Sequence, residues 1–503
     1  MSRVRGSAAL WPLLMLFAGG LHTAAFAPLE WWPLQIGALA LLAGAVAEAT
    51  PRQAAWRGLC FGFAWLASGL WWLYISMHDY GGMPAPMAAA AVALLAAALS
   101  LYLAGAMAWF AWRRRGQPLA DGLAFAACWL LAELARAQFF TGFPWLASGY
   151  AHSTGALAGL APWIGVYGMG AVAALIAVAL AQAVRAVARP SPRSRLLLTL
   201  ALAGPVLAAV APAEFTEPAG TLRVSLLQPN VPQDLKFDPD RIVAQMAALQ
   251  VQLQAADGDL VVTPESVLPI PRDQLDPVYW QALTAPFRGG ERAALLGTFL
   301  GNDRDGYVNS MVGVSAAGES YSYGKRHLLP FGEYVPPGFR WFVDMMQIPL
   351  GDQASGRSEA PFVVGAQRAR PLICYEDLFG EDFAASVSGP GAATLLVNAS
   401  NLAWFGPRMV QDQHLQFSRL RALEFQRPLV RATNTGSTAA VDHRGEVIGR
   451  LPPEVAGTLD VVVEGRQGST PYARWLAALG LWPLWVLALA VAVATRRRQA
   501  RPE

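Results

Sequence analysis

At 503 residues, 54% hydrophobic and only 15% charged, the chain is too apolar for an ordinary soluble protein and reads as a membrane protein. A formal net charge of +3 says little by itself. No basic stripe interleaved with aromatics argues for nucleic acid, no glycine-rich loop for phosphate, and no Cys/His spacing for zinc.

In chain order, long apolar runs cover 8–24, 31–50, 58–77, 86–112, 119–140, 160–184 and 196–212, and an eighth covers 474–495. Most are long enough to span a hydrocarbon core with some tilt. Arginines alternate with the runs: Arg3 and Arg5, Arg52 and Arg57, Arg113 to Arg115, Arg185 to Arg195, and Arg496 to Arg501. The intervening loops near Pro28, from Asp79 to Pro84, and from Thr141 to Gly159 carry no lysine or arginine. The positive-inside rule then puts both termini in the cytoplasm and the long segment after the seventh run outside. Arg3, Arg5, the first run and Ala25-Phe26-Ala27 also fit a cleaved signal peptide, which leaves that side unchanged. Aromatic clusters at Trp31-Trp32, Trp71-Trp72 and Phe139 to Trp145 suit an interfacial belt or a place where a lipid is admitted. Glu133 and Arg136, three apart on one helical face, can pair with each other inside the fifth run.

From about Gly220 to Gly465 the texture changes to short apolar runs and regular charge. Thr221–Leu227 reads as a strand, and Asp238-Pro239 opens a helix running to about Ala256. Asp259–Thr263 reads as a strand, 272–286 as a helix, and Ala293–Phe299 as a strand. Tyr307–Val314 and Glu319–Tyr323 flank a hairpin turn. Ala369–Cys374 is a strand, with a helix to about Ser386, a strand at Thr394–Asn398 and a helix at about 409–426. Strands at Pro428–Thr433, Ala439–Asp442, Val447–Arg450 and Thr458–Val463 complete an α/β domain with mixed sheets.

Three polar residues each follow a strand-like run: Glu265, Lys325 and Cys374. The rims of sheets are where α/β domains place their sites. Cys374, the one cysteine of this domain, is either a small buried hydrophobe or a nucleophile. Glu, Lys and Cys suit acyl transfer: the thiol attacks a carbonyl, the carboxylate takes its proton, and the ammonium stabilises the oxyanion. Only Lys236 and Lys325 are lysine, every other basic residue being arginine. Lysine in such a chain marks a task for a compact, tunable ammonium. His327 and His414 have no paired acid at a supporting spacing.

Thr263-Pro264-Glu265-Ser266, Gly324-Lys325 with Leu329-Pro330-Phe331-Gly332-Glu333-Tyr334, and Ile373-Cys374-Tyr375-Glu376 resemble the three motif regions of the nitrilase superfamily. The Pro-Phe-Gly-Glu motif, the multi-span N-terminal half and the single C-terminal span resemble its membrane branch, the apolipoprotein N-acyltransferases. The resemblance implies a polytopic α-helical membrane domain of about eight spans joined to a four-layer α-β-β-α domain. The expected boundaries are a membrane domain over 1–215 with seven spans, an extracytoplasmic nitrilase-like catalytic domain over 220–465, and a C-terminal span and tail over 472–503.

The resemblance further implies Glu265 as general base, Lys325 as oxyanion stabiliser and Cys374 as nucleophile. Glu333 is implied as a further acid, and Tyr375 and Glu376 as shaping and polarising the thiol. Trp404 would border the pocket, and Phe237 would give an aromatic lid contact where related sequences carry tryptophan. The implied reaction passes an acyl chain from a membrane phospholipid, phosphatidylethanolamine above others, through a Cys374 thioester to the α-amine of a diacylated apolipoprotein. No metal or organic cofactor is implied. The protein would lie in the bacterial inner membrane with its catalytic domain on the periplasmic side. The alternative is a membrane-tethered amidase with water as acceptor. The apolar, Met-rich stretch 341–350 is either a mobile lid or a core helix.

Overall fold

The computed structural model describes residues 2–186, 199, 203–204, 214–236, 238–341, 352–356, 360–407 and 409–495. Apart from 199, 203 and 204, the expected seventh run lies outside them. The chain forms two compact units: Met1–Tyr74 with Ala85–Ala213 and Ala478–Glu503, and Ile75–Pro84 with Glu214–Ala477.

The first unit is helical. Its helices are Ser2–Thr23, Trp32–Val46, Pro51–Gly69, Ala85–Arg113, Pro118–Gln138, Ala161–Ala186 and Trp482–Ala494. Sequence punctuation sets several starts. Thr50 accepts from the Gln53 amide while Gln53 accepts from the Thr50 amide, with Pro51 filling the first helical position. By length and composition, three helices can cross a membrane, or up to five if two bent pairs each count as one span. Leu10–Thr23 and Trp32–Val46 are shorter apolar helices. The expected eight crossings are therefore not all present as full-length helices among the described residues. The second run forms the 15-residue helix Trp32–Val46, with Pro33 at its start, where a missing amide costs nothing.

Arginines gather at one end of this unit, on helix carbonyls. Arg57 donates to Ala45 O at 2.5 Å, Arg114 to Val46 O and Ala49 O at 2.9 and 2.7 Å, and Arg115 to Thr495 O and Ala494 O, both at 2.7 Å. Cations there satisfy last-turn carbonyls and complement the helix dipole.

Glu133 and Arg136 do not form the expected ion pair. Glu133 Oε1 accepts from Ser148 N and Oγ at 2.6 and 2.8 Å. Arg136 Nη1 donates to Phe143 O and Trp145 O, both at 2.7 Å. Gln35 donates to Ser148 O at 2.8 Å and also meets His152 Nε2 at 2.8 Å. The spacing does put both charges on one face, but the irregular 143–148 backbone lies against it. Unsatisfied carbonyls in an apolar bundle cost more than an unmade ion pair gains, so the loop takes both side chains.

The second unit carries twelve strands: β1 Thr216–Gln228, β2 Leu260–Val262, β3 Ala293–Asn302, β4 Gly306–Ser315, β5 Gly318–Gly324, β6 Phe362–Val364, β7 Gln367–Ile373, β8 Leu395–Ser400, β9 Leu429–Thr433, β10 Ala439–Val441, β11 Val447–Arg450 and β12 Gly457–Gly468. They form two six-stranded sheets, ordered β12-β1-β2-β3-β4-β5 and β11-β10-β9-β8-β7-β6. In each, three parallel strands (β1 to β3, β7 to β9) are continued by antiparallel neighbours. β1 is paired along its length with the last strand, from Thr216 opposite Gly468 to Gln228 opposite Gly457.

The sheets face each other through β1 with β9 and β4 with β7. Helices Pro239–Ala255 and Pro277–Thr284 cover the first sheet: Leu249, Leu253, Trp280 and Leu283 pack on Leu227, Val261, Leu296 and Val312. Each such leucine contributes about 1.5–3 kcal/mol by leaving water. Helix Val410–Phe425 covers β9 and β10 of the second sheet. The result is α-β-β-α layering.

Two local expectations change. The helix expected at 272–286 is a 3₁₀ turn, Arg272–Gln274, then a helix capped by Asp276 with Pro277 at its start. The helix expected after Cys374 is a 3₁₀ turn, Cys374–Leu378, then a short helix, Gly380–Phe383.

Candidate active site

Glu265, Lys325 and Cys374 each sit just past a strand end, after β2, β5 and β7. The Glu265 turn is held close to β3. Gly297 N donates to Thr263 Oγ1 at 2.9 Å, and a Cβ on Gly297 would stand 2.1 Å from Pro264 O. Lys325 follows the β4–β5 hairpin, its amide donating to Asn309 O at 2.7 Å. Glu333 lies on a turn closed on itself, with Leu329 N donating to Glu333 Oε2 at 2.8 Å. Cys374 has φ +56, the left-handed region in which a side chain on Cβ is strained. Asn398 Nδ2 holds its carbonyl at 2.7 Å.

The charged groups converge. Lys325 Nζ donates to Glu265 Oε1 at 3.2 Å and to Glu333 Oε1 at 2.7 Å. Asn309 Nδ2 reaches the same two oxygens, at 2.7 and 3.3 Å. Glu265 Oε2 accepts from Asn401 N at 3.0 Å. Every carboxylate oxygen thus has a donor, which permits these charges to be buried. Lys325 is 1% exposed, and Glu265, Glu333 and Cys374 are each 7% exposed.

Burial pushes the Cys374 thiol well above its ordinary value; Glu265 pushes the same way and Lys325 opposes. The resting thiol is therefore protonated at neutral pH and needs a base before it can attack. For Lys325, burial alone would lower the ammonium, but Glu265, Glu333 and Cys374 outweigh it and hold it well above its ordinary value. Thiol, carboxylate and permanent cation are the parts that acyl transfer to sulfur requires.

The flanking residues are also placed. Tyr375 OH donates to Leu328 O at 2.6 Å. The Glu376 carboxylate accepts from the Ile373, Arg326 and His327 amides at 2.7, 2.7 and 3.2 Å and from Tyr323 OH at 2.8 Å. It thereby ties the strand before Cys374 to the loop after Lys325. Trp404, on the turn Ala403–Phe405, is 39% exposed, with the Tyr80 ring against it at 5.8 Å. Phe237 and 342–350 lie outside the described residues. Among the described residues, no group of three or more His, Cys, Asp or Glu is placed to hold a metal ion.

Residues 18–179 match the family described as Apolipoprotein N-acyltransferase N-terminal domain, and 223–472 match Carbon-nitrogen hydrolase. An apolipoprotein N-acyltransferase of Verminephrobacter eiseniae is 47% identical over 501 residues, covering 94% of each chain. One of Ralstonia nicotianae is 46% identical over 514 residues, covering 99% of this chain and 95% of that one. The chain belongs to the apolipoprotein N-acyltransferase family. Among solved structures, a CN-hydrolase superfamily protein from Xanthomonas campestris is 20% identical, with a TM-score of 0.37, covering 52% of this chain and 96% of that one.

In this member of the apolipoprotein N-acyltransferase family, Asn309 and Asn401 complete the carboxylate cluster; sequence reasoning missed Asn309 and placed Asn401 only in the loop with Trp404 that borders the pocket. A lone asparagine in a strand or loop carries no signal of its own. It also left both histidines without acids. His327 meets Asp382 at 3.1 Å, and the fully buried His414 meets Asp377 at 2.8 Å. Ser418 Oγ donates to Asp377 at 2.6 Å, and Arg431 is 3.5 Å from it, which fixes the turn after Cys374. These partners come from distant stretches of chain that only the fold brings together.

Proposed function

We propose that this protein transfers an acyl chain from a membrane phospholipid, through a Cys374 thioester, to the α-amine of the diacylglyceryl-cysteine at an apolipoprotein N-terminus. Cys374 is the nucleophile, Glu265 the general base and Lys325 the oxyanion stabiliser. Glu265 takes the thiol proton as sulfur attacks the ester carbonyl, and Lys325 donates to the oxyanion. Collapse breaks the ester C–O bond, and the lysophospholipid leaves with the proton from Glu265. The amine then attacks the thioester, Glu265 takes its proton, and the thiol returns as the amide forms.

Glu333 holds Lys325 between two carboxylates. Tyr375 and Glu376 keep the strand end and the Lys325 loop in register. Phe237 and Trp404 supply apolar contacts for acyl chains. Phosphatidylethanolamine is the expected donor.

The observation that carries this reading is the buried meeting of one ammonium with two carboxylates beside a protonated thiol. Family membership favours an amine over water as acceptor. The arginine pattern supports about eight crossings, both termini in the cytoplasm and the second unit on the periplasmic side. The domain limits that go with it are 1–215, 220–465 and 472–503.

The test is mass spectrometry of Cys374 after incubation with phospholipid alone. An added acyl mass on that peptide, lost on adding a diacylated lipopeptide amine, is expected. No adduct at Cys374, or a Cys374→Ser variant with full transfer, overturns the proposal.

A further inference from the structure

Both lysines of the chain meet at one residue. Lys325 Nζ donates to the Glu265 carboxylate at 3.2 Å. Lys236 Nζ donates to the Glu265 carbonyl at 3.4 Å and to Ser266 Oγ at 2.7 Å. Of 38 basic residues only these two are lysine, so arginine is the default cation here. The two departures from that default converge on the same turn. Lys236 is 4% exposed. An ammonium needs only three acceptors, whereas a planar guanidinium would bring five donors into this buried place.

The surroundings tie Lys236 to the site. Ser266 has φ +45, so the residue after Glu265 is held in a strained conformation. Val231 N donates to Asn434 Oδ1 at 2.9 Å, and Asn401 Nδ2 donates to Gln233 Oε1 at 2.8 Å. Asn401 N in turn donates to Glu265 Oε2. The segment that presents Lys236 is thus anchored to the residues that bound Glu265. Charge points the same way. Two carboxylates, Glu265 and Glu333, share the single ammonium of Lys325, and a second cation beside Glu265 balances the cluster.

We propose that Lys236 is a positioning residue of this site: its ammonium fixes the Glu265–Ser266 turn and supplies a second positive charge beside the group that takes the Cys374 proton. The inference rests on the reading of Cys374 as nucleophile and Glu265 as base. Burial lowers the Lys236 ammonium to about 8, with Glu265 opposing, so this charge is lost within an accessible pH range. An arginine would carry no such dependence.

The test is the rate of iodoacetamide alkylation at Cys374 in the full chain in detergent, followed by peptide mass spectrometry to separate it from Cys60 and Cys128. Wild type and Lys236→Met are compared across about pH 5 to 10. Removing a nearby cation disfavours the thiolate that alkylation consumes. Below about pH 8 the variant should therefore be alkylated roughly tenfold more slowly than wild type. The two curves should meet above about pH 8, where the wild-type lysine is itself neutral. Superimposable curves, or a constant ratio at every pH, overturn the proposal. If Lys236→Met does not fold, Ser266→Ala keeps the charge but removes its short hydrogen bond. A smaller slowing over the same range supports the proposal, and an unchanged curve overturns it. Alkylation needs no lipid, so a missing acyl adduct would sink the acyl-transfer reading while leaving this result standing.

Discussion

Replacing Lys325 by arginine separates charge from shape at the centre of the site. Wild-type Nζ is a single point donating to two carboxylate oxygens, at 3.2 and 2.7 Å, on two different side chains. A guanidinium keeps the charge but spreads it over a planar fork that suits both oxygens of one carboxylate. It is also larger, in a place 1% exposed, and overpacking of that kind costs about 1–3 kcal/mol. Loss of a correctly placed oxyanion donor costs roughly 10²–10³ in rate. Lys325→Met is the control: it leaves Glu265 and Glu333 facing each other with only Asn309 between, and stripping one partner from a buried pair costs about 3–5 kcal/mol. The expected stability order is wild type, then Lys325→Arg, then Lys325→Met, with both variants at least about a hundredfold slower in Cys374 acylation. Thermal unfolding in detergent and rapid-quench thioester formation read the two quantities. Wild-type acylation by Lys325→Arg, or wild-type stability of Lys325→Met, would refute the reasoning.

Other expectations follow from the same geometry. Asn309→Ala removes the neutral bridge between the carboxylates and should lower stability by about 1.5–3 kcal/mol, measured by denaturant titration of the purified protein. Glu376→Gln replaces an acceptor of four hydrogen bonds by a group with one oxygen and two donors. It should cost at least about 2 kcal/mol, and hydrogen exchange at Ile373, Arg326 and His327 should rise. For Asp377, burial alone would raise the carboxyl, but His414, Arg431 and Ser418 outweigh it and hold it below its ordinary value. Its stabilisation is therefore complete above the usual aspartate range, near about 3.9, and is lost as pH falls through its lower folded value. Asp377→Asn should flatten that acid limb in a melting-temperature series. Arg136→Met strips the donors from Phe143 O and Trp145 O and should destabilise the first unit by about 1–3 kcal/mol, read as faster proteolysis near 143–148.

Much of the second unit was legible because its strands are short, apolar and punctuated by Gly, Pro and Asp, and because Glu265, Lys325 and Cys374 stand at strand ends. β6 was not: Phe362–Val364 is three residues long and pairs only with β7. The full length of β12 was hidden as well, since the apolar run stops at Val463 and is followed by exposed Glu464 and buried Arg466. The polar helix Val410–Phe425 was placed by its limits, but not its depth. Gln411, His414, Ser418, Arg421 and Glu424 are all buried on it; Arg421 and Glu424 pair at i,i+3, but His414 and Ser418 meet Asp377 from a distant stretch. Charge spacing in the membrane runs misled for a related reason: Glu133 and Arg136 answer to a loop whose path no local pattern encodes.

The pairing of β1 with β12 has a consequence for biogenesis. The first strand of the second unit has one neighbour close behind it, β2, but the strand that closes its other side ends at Gly468, opposite Thr216. Chain emerges in order, so this edge stays open until nearly the whole unit has been synthesised. An unpaired edge is a template for wrong partners. The interval between synthesis of Gln228 and of Gly457 is therefore when the nascent chain is most exposed to misassembly and proteolysis. A substitution that disturbs β12 should show itself as lost yield before it shows as lost activity.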